Sequence, residues 1–202
     1  MRVIAGKYRS RKLMTLPGME LRPTSDRLRE TLFDILTSGN PAALEGTVWI
    51  DLYAGTGAVG IEALSRGASM VYFVESAPDA AELIRKNLEG LGVKSGFQVL
   101  RQDAVRALQA WDKSGIRADF VFLDPPYALA AAYGEALTAL SNSALLRPET
   151  IVIVEHQKKF DPGEQAASLR RHRLLKQGDA ALSFYRMVKA EVAAFPYFAP
   201  KT

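Results

Sequence analysis

Cysteine is absent from the 202-residue chain, and histidine occurs only twice, at His156 and His172. The first absence excludes disulfides and thiolate chemistry, and the scarcity of histidine argues against a zinc site with His and Cys ligands. No apolar segment has the length of a membrane span, and the N-terminus lacks the apolar core of a signal peptide. These absences lead us to expect a cytoplasmic protein that uses no metal.

Positive charge is concentrated at one end of the chain. The net charge is +4, and residues 1–30 alone hold eight Lys or Arg residues against three Asp or Glu residues. A basic terminal segment is typical of an arm that binds a polyanion, although a solvated terminus can have the same composition. Hydrophobic residues make up 48% of the chain, enough for one sizeable core. We therefore predict one domain behind a basic arm.

Apolar segments and helical patterns alternate from Thr47 onward. The predicted strands are TVWIDLY, MVYFVE, FQVLRQD, ADFVFLD and TIVIVEH, and helices are predicted between them. This alternation predicts parallel βαβ units with right-handed crossovers, in a sheet that is covered on both faces. Two last segments, RHRLLKQ and ALSFYRMV, flank a Gly-Asp turn and predict an antiparallel hairpin. Ahead of the sheet, residues 2–16 predict a small hairpin, and DRLRETLFDILT predicts a helix.

A glycine-rich loop, DLYAGTGAVG, follows the first predicted strand. Its glycines have the spacing G-x-G-x-x-G, and Glu75 ends the next strand twenty residues after Gly55. This matches the dinucleotide-binding fingerprint, in which the acid binds ribose hydroxyls. These residues alone fit a nicotinamide-dependent oxidoreductase and an S-adenosylmethionine-dependent methyltransferase equally well. Asp51 favours the methyltransferase, because a carboxylate just before the loop repels a pyrophosphate and attracts a cationic methyl donor.

Asp103 ends the third predicted strand, at the edge of the sheet where open α/β folds bind ligands. Its carboxylate can accept a hydrogen bond from the amino group of adenine. It can also cap the helix that is predicted to begin at Ala104. The two roles are compatible, and both are kept as expectations.

The fourth predicted strand ends in Asp124-Pro125-Pro126-Tyr127. The prolines fix φ and remove two N–H donors, so a carboxylate and a backbone carbonyl without competing donors can face one point. We predict that the carboxylate and the carbonyl accept hydrogen bonds from both N–H groups of an exocyclic amine on a nucleobase. These bonds leave the nitrogen lone pair free to attack a methyl group. Tyr127 offers a flat face on which an extruded base can stack. Positioning of this kind needs neither a metal nor a covalent nucleophile.

Taken together, these segments resemble the RsmD family of bacterial 16S ribosomal RNA (guanine-N2)-methyltransferases. The resemblance is carried by GKYRSRKLMTLPG, LRPTSDRLRETLFDIL, DLYAGTGAVGIEALSRGA, VYFVES, FVFLDPPY and IVIVEH. It implies a Rossmann-like α/β fold of class I methyltransferases, with a seven-stranded, mostly parallel sheet and an antiparallel C-terminal hairpin. The implied domains are a basic hairpin arm (1–20), a methyltransferase domain (21–190) and a tail (191–202).

The resemblance also implies roles for individual residues. It places S-adenosylmethionine against Asp51, Tyr53, Ala54, Gly55, Thr56, Gly57, Glu75, Ser76, Asp103 and Ala104. It places the target guanine against Asp124, Pro125, Pro126 and Tyr127, and the RNA against Lys7, Arg9, Arg11, Lys12, Arg22 and Thr24. The implied substrate is 16S rRNA within the assembling or assembled small ribosomal subunit.

Three functions other than rRNA methylation fit part of the sequence. A DNA adenine-N6 methyltransferase shares the DPPY motif, but no segment after Tyr127 is long enough for the region with which such enzymes read base edges. An oxidoreductase is disfavoured by Asp51 and by the DPPY motif. A non-catalytic RNA-binding module would require a broken donor site. We also expect a monomer, because no apolar helix face is left over.

Overall fold

Eight strands form one sheet in the computed structural model of the chain, which describes residues 1–16, 25–127 and 129–188. The strands are β1 (Val48–Leu52), β2 (Met70–Val74), β3 (Phe97–Leu100), β4 (Phe120–Leu123), β5 (Ile151–Gln157), β6 (Gln165–Ala166), β7 (Leu169–Gln177) and β8 (Ala180–Met187). The helices are α1 (Asp26–Thr37), α2 (Ala58–Ser65), α3 (Pro78–Gly90), α4 (Ala104–Trp111) and α5 (Ala130–Ser141).

The sheet order is β3-β2-β1-β4-β5-β8-β7-β6. Strands β1 to β5 are parallel, and β5, β8, β7 and β6 pair antiparallel. The predicted α/β class and the antiparallel C-terminal hairpin are therefore confirmed. The prediction of seven strands was wrong by one, because β6 has only two residues and is a strand only through its pairing with β7.

The order of the parallel strands reverses between β1 and β4. Their register pairs Leu52 with Leu123, so the segments after both strands leave the sheet side by side. Crevices at such reversal points, outside the carboxyl ends of the strands, are where open α/β sheets bind ligands. The glycine loop follows β1 and the DPPY turn follows β4, so the topology brings the two predicted parts of the site together.

Apolar side chains fill both faces of the sheet. Helices α1, α2 and α3 contribute to the cluster on one face, and α4 and α5 contribute to the cluster on the other. Trp49 of β1 is fully buried on the first face, where its ring stacks on Phe33 of α1 and on Phe120 of β4. Nearly all-apolar strands such as β4 are thus explained by burial on both sides.

The N-terminal segment forms a short and irregular version of the predicted hairpin. The Val3 N–H donates to the Arg11 carbonyl, and the Ser10 N–H donates to the Val3 carbonyl, both over 2.9 Å. Within residues 1–16, one isolated bridge joins Arg2 to Lys12, and a 3₁₀ helix covers Gly6–Tyr8. Gly6 has φ +77°, and a Cβ added there would lie 1.9 Å from the carbonyl oxygen of Ser65 in α2. The segment therefore turns tightly to fit α2, and this fit replaces a regular two-stranded ladder.

Helix α1 begins as the sequence predicts. Ser25 caps the helix, and its hydroxyl accepts a hydrogen bond of 3.1 Å from the Leu28 N–H. The boundary expected after residue 20 and the tail at 191–202 both lie outside the described residues. No helix in the described part of the chain is long and apolar enough to cross a membrane.

Candidate active site

The glycine loop bends sharply between β1 and α2. Tyr53, Gly55 and Gly57 all have positive φ angles, of 60°, 54° and 76°. The N–H of Ala54 donates to the carbonyl of Val74 at the end of β2, over 3.0 Å. This path places the loop across the carboxyl ends of β1 and β2, with backbone close to whatever lies in the crevice.

Glu75 fixes the glycine loop from the neighbouring strand. One carboxylate oxygen accepts from the Gly55 N–H at 2.9 Å, and the other accepts from the Ala77 N–H at 2.8 Å. Ser76, which lies between Glu75 and Ala77, is exposed. The predicted bond from Glu75 to ribose hydroxyls uses lone pairs beyond those two, since a carboxylate has about four acceptor positions. That contact stays a prediction.

Asp51 lies beneath the loop. Its side chain is 2% exposed, and Oδ2 accepts a hydrogen bond of 2.9 Å from the Gly60 N–H in α2. Burial raises the pKa of Asp51 to about 8, the bond from Gly60 opposes that rise, and the charge of Glu75 adds to it. The structure therefore shows Asp51 as a support for the loop, and its predicted contact with a cationic donor stays a prediction.

Asp103 caps helix α4, as one of its two expected roles requires. Its carboxylate accepts from the N–H groups of Val105 and Arg106 at 3.0 and 3.1 Å. Burial raises the pKa of Tyr53 to about 12, with further contributions from the negative charges of Asp103 and Glu135. Tyr53 in the glycine loop therefore lies close enough to Asp103, beyond β3, to be affected by its charge. Ala104 is buried at the start of α4.

The DPPY turn is tied to both of its neighbours. The Asp124 N–H donates to the Leu52 carbonyl at 3.4 Å, and Leu52 directly precedes the glycine loop. Pro125 is buried, Pro126 is exposed, and Tyr127 is half-buried at the wall of a cleft. The four predicted residues therefore stand next to the predicted donor loop, across the reversal point.

The expectation that the proline carbonyls have no competing donors was wrong. The hydroxyl of Tyr133 donates to the Pro125 carbonyl at 3.3 Å, and the Leu129 N–H donates to the Pro126 carbonyl at 2.8 Å. Both donors belong to the segment that enters α5. A carbonyl oxygen has two lone pairs, so Pro125 keeps one for a ligand while Tyr133 fixes its direction.

Four of the residues predicted to contact RNA lie in the N-terminal segment, and all are exposed: Lys7, Arg9, Arg11 and Lys12. Arg11 donates to the Gly90 carbonyl at the end of α3, over 2.8 Å, so this side chain is held against the domain. Arg22 and Thr24 lie outside the described residues. The basic segment thus sits on the α2–α3 side of the molecule, near the glycine loop.

Two buried polar residues for which the sequence predicted no role anchor the N-terminal segment. Glu62 accepts from the N–H groups of Ile4 and Ala5 at 2.7 and 2.9 Å, and Asn87 makes a two-way pair with the backbone of Met14. Asn87 also donates to the carbonyl of Thr56 in the glycine loop at 3.1 Å. Only the burial of polar residues on α2 and α3 marks them, which sequence patterns show poorly.

The fold and the site together define a class: a Rossmann-like α/β protein with the architecture of the S-adenosylmethionine-dependent methyltransferases. A family model described as "Conserved hypothetical protein 95" matches residues 1–186. The chain belongs to this family, the RsmD family. No group of three or more His, Cys, Asp or Glu residues in the described ranges is placed to hold a metal ion.

Similar proteins carry names that agree with this class. "Ribosomal RNA small subunit methyltransferase D" from Haemophilus influenzae is 37% identical, over 78% of this chain and 79% of its own. The protein of the same name from Escherichia coli K12 is 32% identical, over 92% and 89% of the two chains. A solved Escherichia coli chain, yhhF, assigned provisionally as a methyltransferase, has a TM-score of 0.79 at 29% identity and covers 93% and 97%.

Proposed function

We propose that this protein transfers a methyl group from S-adenosylmethionine to the exocyclic N2 amine of a guanine in 16S ribosomal RNA. The observation that carries the proposal is the direct contact between the two halves of the site, Asp124 on the end of β4 and Leu52 at the start of the glycine loop. The names of the relatives specify ribosomal RNA of the small subunit, which supports RNA over the DNA alternative.

The residues around the loop suit a cationic donor without phosphates. Carboxylates end or follow three adjacent strands, at Asp51, Glu75 and Asp103, and residues 53–57 contain no Lys or Arg. A pyrophosphate in that crevice would meet negative charge, whereas a sulfonium and an ammonium would be stabilised there. When bound, S-adenosylmethionine supplies a methyl group on a positively charged sulfur. This composition supports a methyltransferase over an oxidoreductase.

The DPPY turn suits a flat amine. Asp124 can accept one N–H of the amine through its carboxylate, and Pro125 can accept the other through the remaining lone pair of its carbonyl. Two such bonds orient the nitrogen lone pair toward the glycine loop and bring the nucleophile close to the donor. The new N–C bond would form as the C–S bond of the donor breaks and S-adenosylhomocysteine leaves, and Asp124 would take the surplus proton of the amine. Tyr127 stacks on the base and excludes water from one face.

The same proposal extends to the partner and the location of the protein. The exposed basic residues of the N-terminal segment lie on one side of the glycine loop, where they can contact phosphates of folded RNA. We infer that the substrate is 16S rRNA within the assembling or assembled small subunit. We also infer a cytoplasmic location, because a bacterial enzyme that methylates ribosomal RNA must meet its substrate there.

The test is transfer of labelled methyl from S-adenosylmethionine to three acceptors: unmodified small subunits, naked 16S rRNA and duplex DNA. Asp124→Ala serves as the control, with a rate expected to fall at least about a hundredfold, because it removes a group that positions the nucleophile. Calorimetry of the same variant with S-adenosylmethionine should give an unchanged affinity, since Asp124 is assigned to the acceptor.

Nucleoside analysis then decides the base. Label at N2 of guanine in rRNA, lost in Asp124→Ala, is the expected result. Label at N6 of adenine in duplex DNA would replace the proposal with the DNA alternative. If no acceptor is labelled and S-adenosylmethionine does not bind, the assignment of both the glycine loop and the DPPY turn is wrong.

A further inference from the structure

A cleft of about 1190 Å³ opens beside Tyr127, outside the carboxyl end of β5. Its walls are the start of α1, the residues after β5 and the turn between β7 and β8. Seven of its lining residues carry charge or an aromatic ring: Arg27, Tyr127, Glu155, Lys158, Lys159, Lys176 and Asp179. The cleft is therefore continuous with the predicted acceptor site and is lined by several cations.

The four cations of this cleft are exposed and not engaged with carboxylates. Within residues 1–16, 25–127 and 129–188, none of them forms an ion pair within 4.0 Å. Other cations of the chain are paired, as Arg66 is with Glu62 at 2.8 Å and Arg171 is with Asp161 at 2.6 Å. The charge of the cleft is thus available to a ligand.

Backbone pairing holds the lysines in place. The Lys158 N–H donates to the Asp179 carbonyl at 2.8 Å, and β7 pairs with β8 up to the contact of Gln177 with Ala180. Lys158, Lys159 and Lys176 therefore project from the ordered end of the β5-β8-β7 ladder. Cations fixed on a rigid turn lose little conformational entropy beyond that of their own side chains when they bind an anion.

The floor of the cleft has the opposite charge. Glu155 is 5% exposed, and the register that pairs Leu123 with Val154 places it beside Asp124, one residue further along each strand. Two neighbouring carboxylates repel a phosphate and accept hydrogen bonds from the N–H groups of a base. A nucleotide entering this cleft would keep its phosphates at the rim and turn its base toward the floor.

Arg27 connects this cleft to the basic N-terminal segment. It also lines a second cleft, of about 350 Å³, together with Arg2 and Arg9. Asp26 and Glu30 line that second cleft as well, and Arg2 pairs with Asp26 at 3.8 Å. Arg9 and Arg27 nevertheless continue the row of cations from the N-terminal segment, past the start of α1, to the lysines beyond Tyr127. An extended polyanion can follow this path, whereas a mononucleotide would cover only part of it.

We propose that Arg27, Lys158, Lys159 and Lys176 form a phosphate-binding rim that holds the single RNA strand carrying the target nucleotide. The inference rests on the proposed function and adds to it a second set of RNA contacts, beside Tyr127 and joined to the N-terminal segment through Arg27. The rim contacts phosphates next to the extruded nucleotide, and the N-terminal segment contacts RNA farther away.

The test is binding of a fluorescent single-stranded fragment of 16S rRNA, measured by anisotropy over a range of salt concentrations. Lys158→Glu/Lys159→Glu should raise the Kd about tenfold or more and lower the slope of log K against log salt by roughly 0.7 for each lost phosphate contact. Lys176→Glu and Arg27→Glu should act in the same direction. The KM for rRNA should rise, while the affinity for S-adenosylmethionine stays unchanged.

Matched controls are Lys94→Glu and Lys113→Glu, exposed lysines that precede β3 and β4 at the opposite end of the sheet. They should leave Kd and slope as in the wild type. Equal losses in the controls, unchanged RNA binding in the rim variants, or a loss confined to duplex DNA would overturn the proposal. Because binding is read without catalysis, a wild type that binds RNA through the rim but transfers no methyl would refute the proposed function alone.

Discussion

At the scale of single residues, Gly60 shows why the loop needs its third glycine. A Cβ added at Gly60 would lie 2.3 Å from the ring of Phe73, so α2 can pack on β2 only without a side chain there. Gly60→Ala should lower the free energy of unfolding by about 1–3 kcal/mol, since a buried ring must move. Urea denaturation measures this change.

The matched control for Gly60 is Gly134→Ala, in the exposed middle of α5, where an added Cβ meets nothing within 4 Å. That change should raise the free energy of unfolding by roughly 0.5–1 kcal/mol, because alanine restricts the unfolded chain. If both variants are equally stable, the close approach of α2 to Phe73 is not what the third glycine permits.

Asp51 should make stability depend on pH. Burial raises its pKa from 3.8 to about 8, so between those values the folded chain holds a proton that the unfolded chain releases. The stabilising contribution is therefore complete below the unfolded pKa and is lost as the pH rises through the folded one. Relative to Asp51→Asn, the wild type should lose up to about 1.4 kcal/mol per pH unit between pH 5 and 8.

Denaturation curves of the wild type and Asp51→Asn, recorded at several pH values without ligand, measure this difference. Asp34→Asn, which removes an exposed carboxylate from α1, controls for the change in net charge. A constant gap between the wild type and Asp51→Asn over the whole range would show that Asp51 is ionised in the folded protein.

Single residues also mark the limit of prediction from sequence. The DPPY motif predicted where the acceptor site lies, because strand order and motif spacing determine which loops meet. It did not predict that Tyr133 and Leu129 donate to the proline carbonyls, because those bonds depend on how α5 folds back onto the turn. Likewise, the fingerprint spacing singled out Glu75 but did not predict that its carboxylate also holds the Gly55 N–H of the glycine loop.

At the scale of elements, the N-terminal segment depends on one carboxylate of α2. Glu62 is fully buried, accepts two N–H groups of the segment, and lies 2.8 Å from Arg66. Glu62→Gln keeps the shape but removes the charge that neutralises Arg66 and the buried Arg29. We expect a loss of about 3 kcal/mol in the free energy of unfolding, with faster hydrogen exchange at Ile4 and Ala5 before global unfolding.

Trypsin gives a second measurement of the same release, because Lys7, Arg9, Arg11 and Lys12 become cleavable when the segment detaches. Glu89→Gln, at an exposed position of α3, is the control and should leave cleavage unchanged. If Glu62→Gln destabilises the whole protein without faster exchange or cleavage in the segment, Glu62 supports the core and does not specifically anchor the segment.

Most elements could be predicted because their patterns are local. The alternation of apolar strands and helices fixed the parallel sheet, and α4 begins and ends where its pattern does, at Ala104–Trp111. Strand β6 was missed, since two residues carry no periodicity and pair only because β7 lies beside them. The hairpin predicted for residues 2–16 is present as an antiparallel pairing of its two ends, but it is short and irregular because its turn packs closely on Ser65.

At the scale of the whole molecule, the edges of the sheet bear on whether two copies associate. The outer strands β3 and β6 have only four and two residues, and the part of β7 beyond β6 carries the exposed cations Arg173 and Lys176. Short and like-charged edges disfavour pairing of strands between copies. Light scattering should therefore give the mass of one chain, 22.1 kDa, at every concentration tested.

Because the exposed strand β7 carries positive charge, the predicted monomer mass should be tested at several salt concentrations. Low salt strengthens repulsion between basic edges, so any association through them should appear only as salt is raised. A mass near twice that of one chain at low salt would mean that another surface joins the copies. RNA binding by the phosphate-binding rim would then have to be measured in the dimer. A second chain that covers the cleft beside Tyr127 would compete with RNA for the rim, so added rRNA fragment would dissociate the dimer.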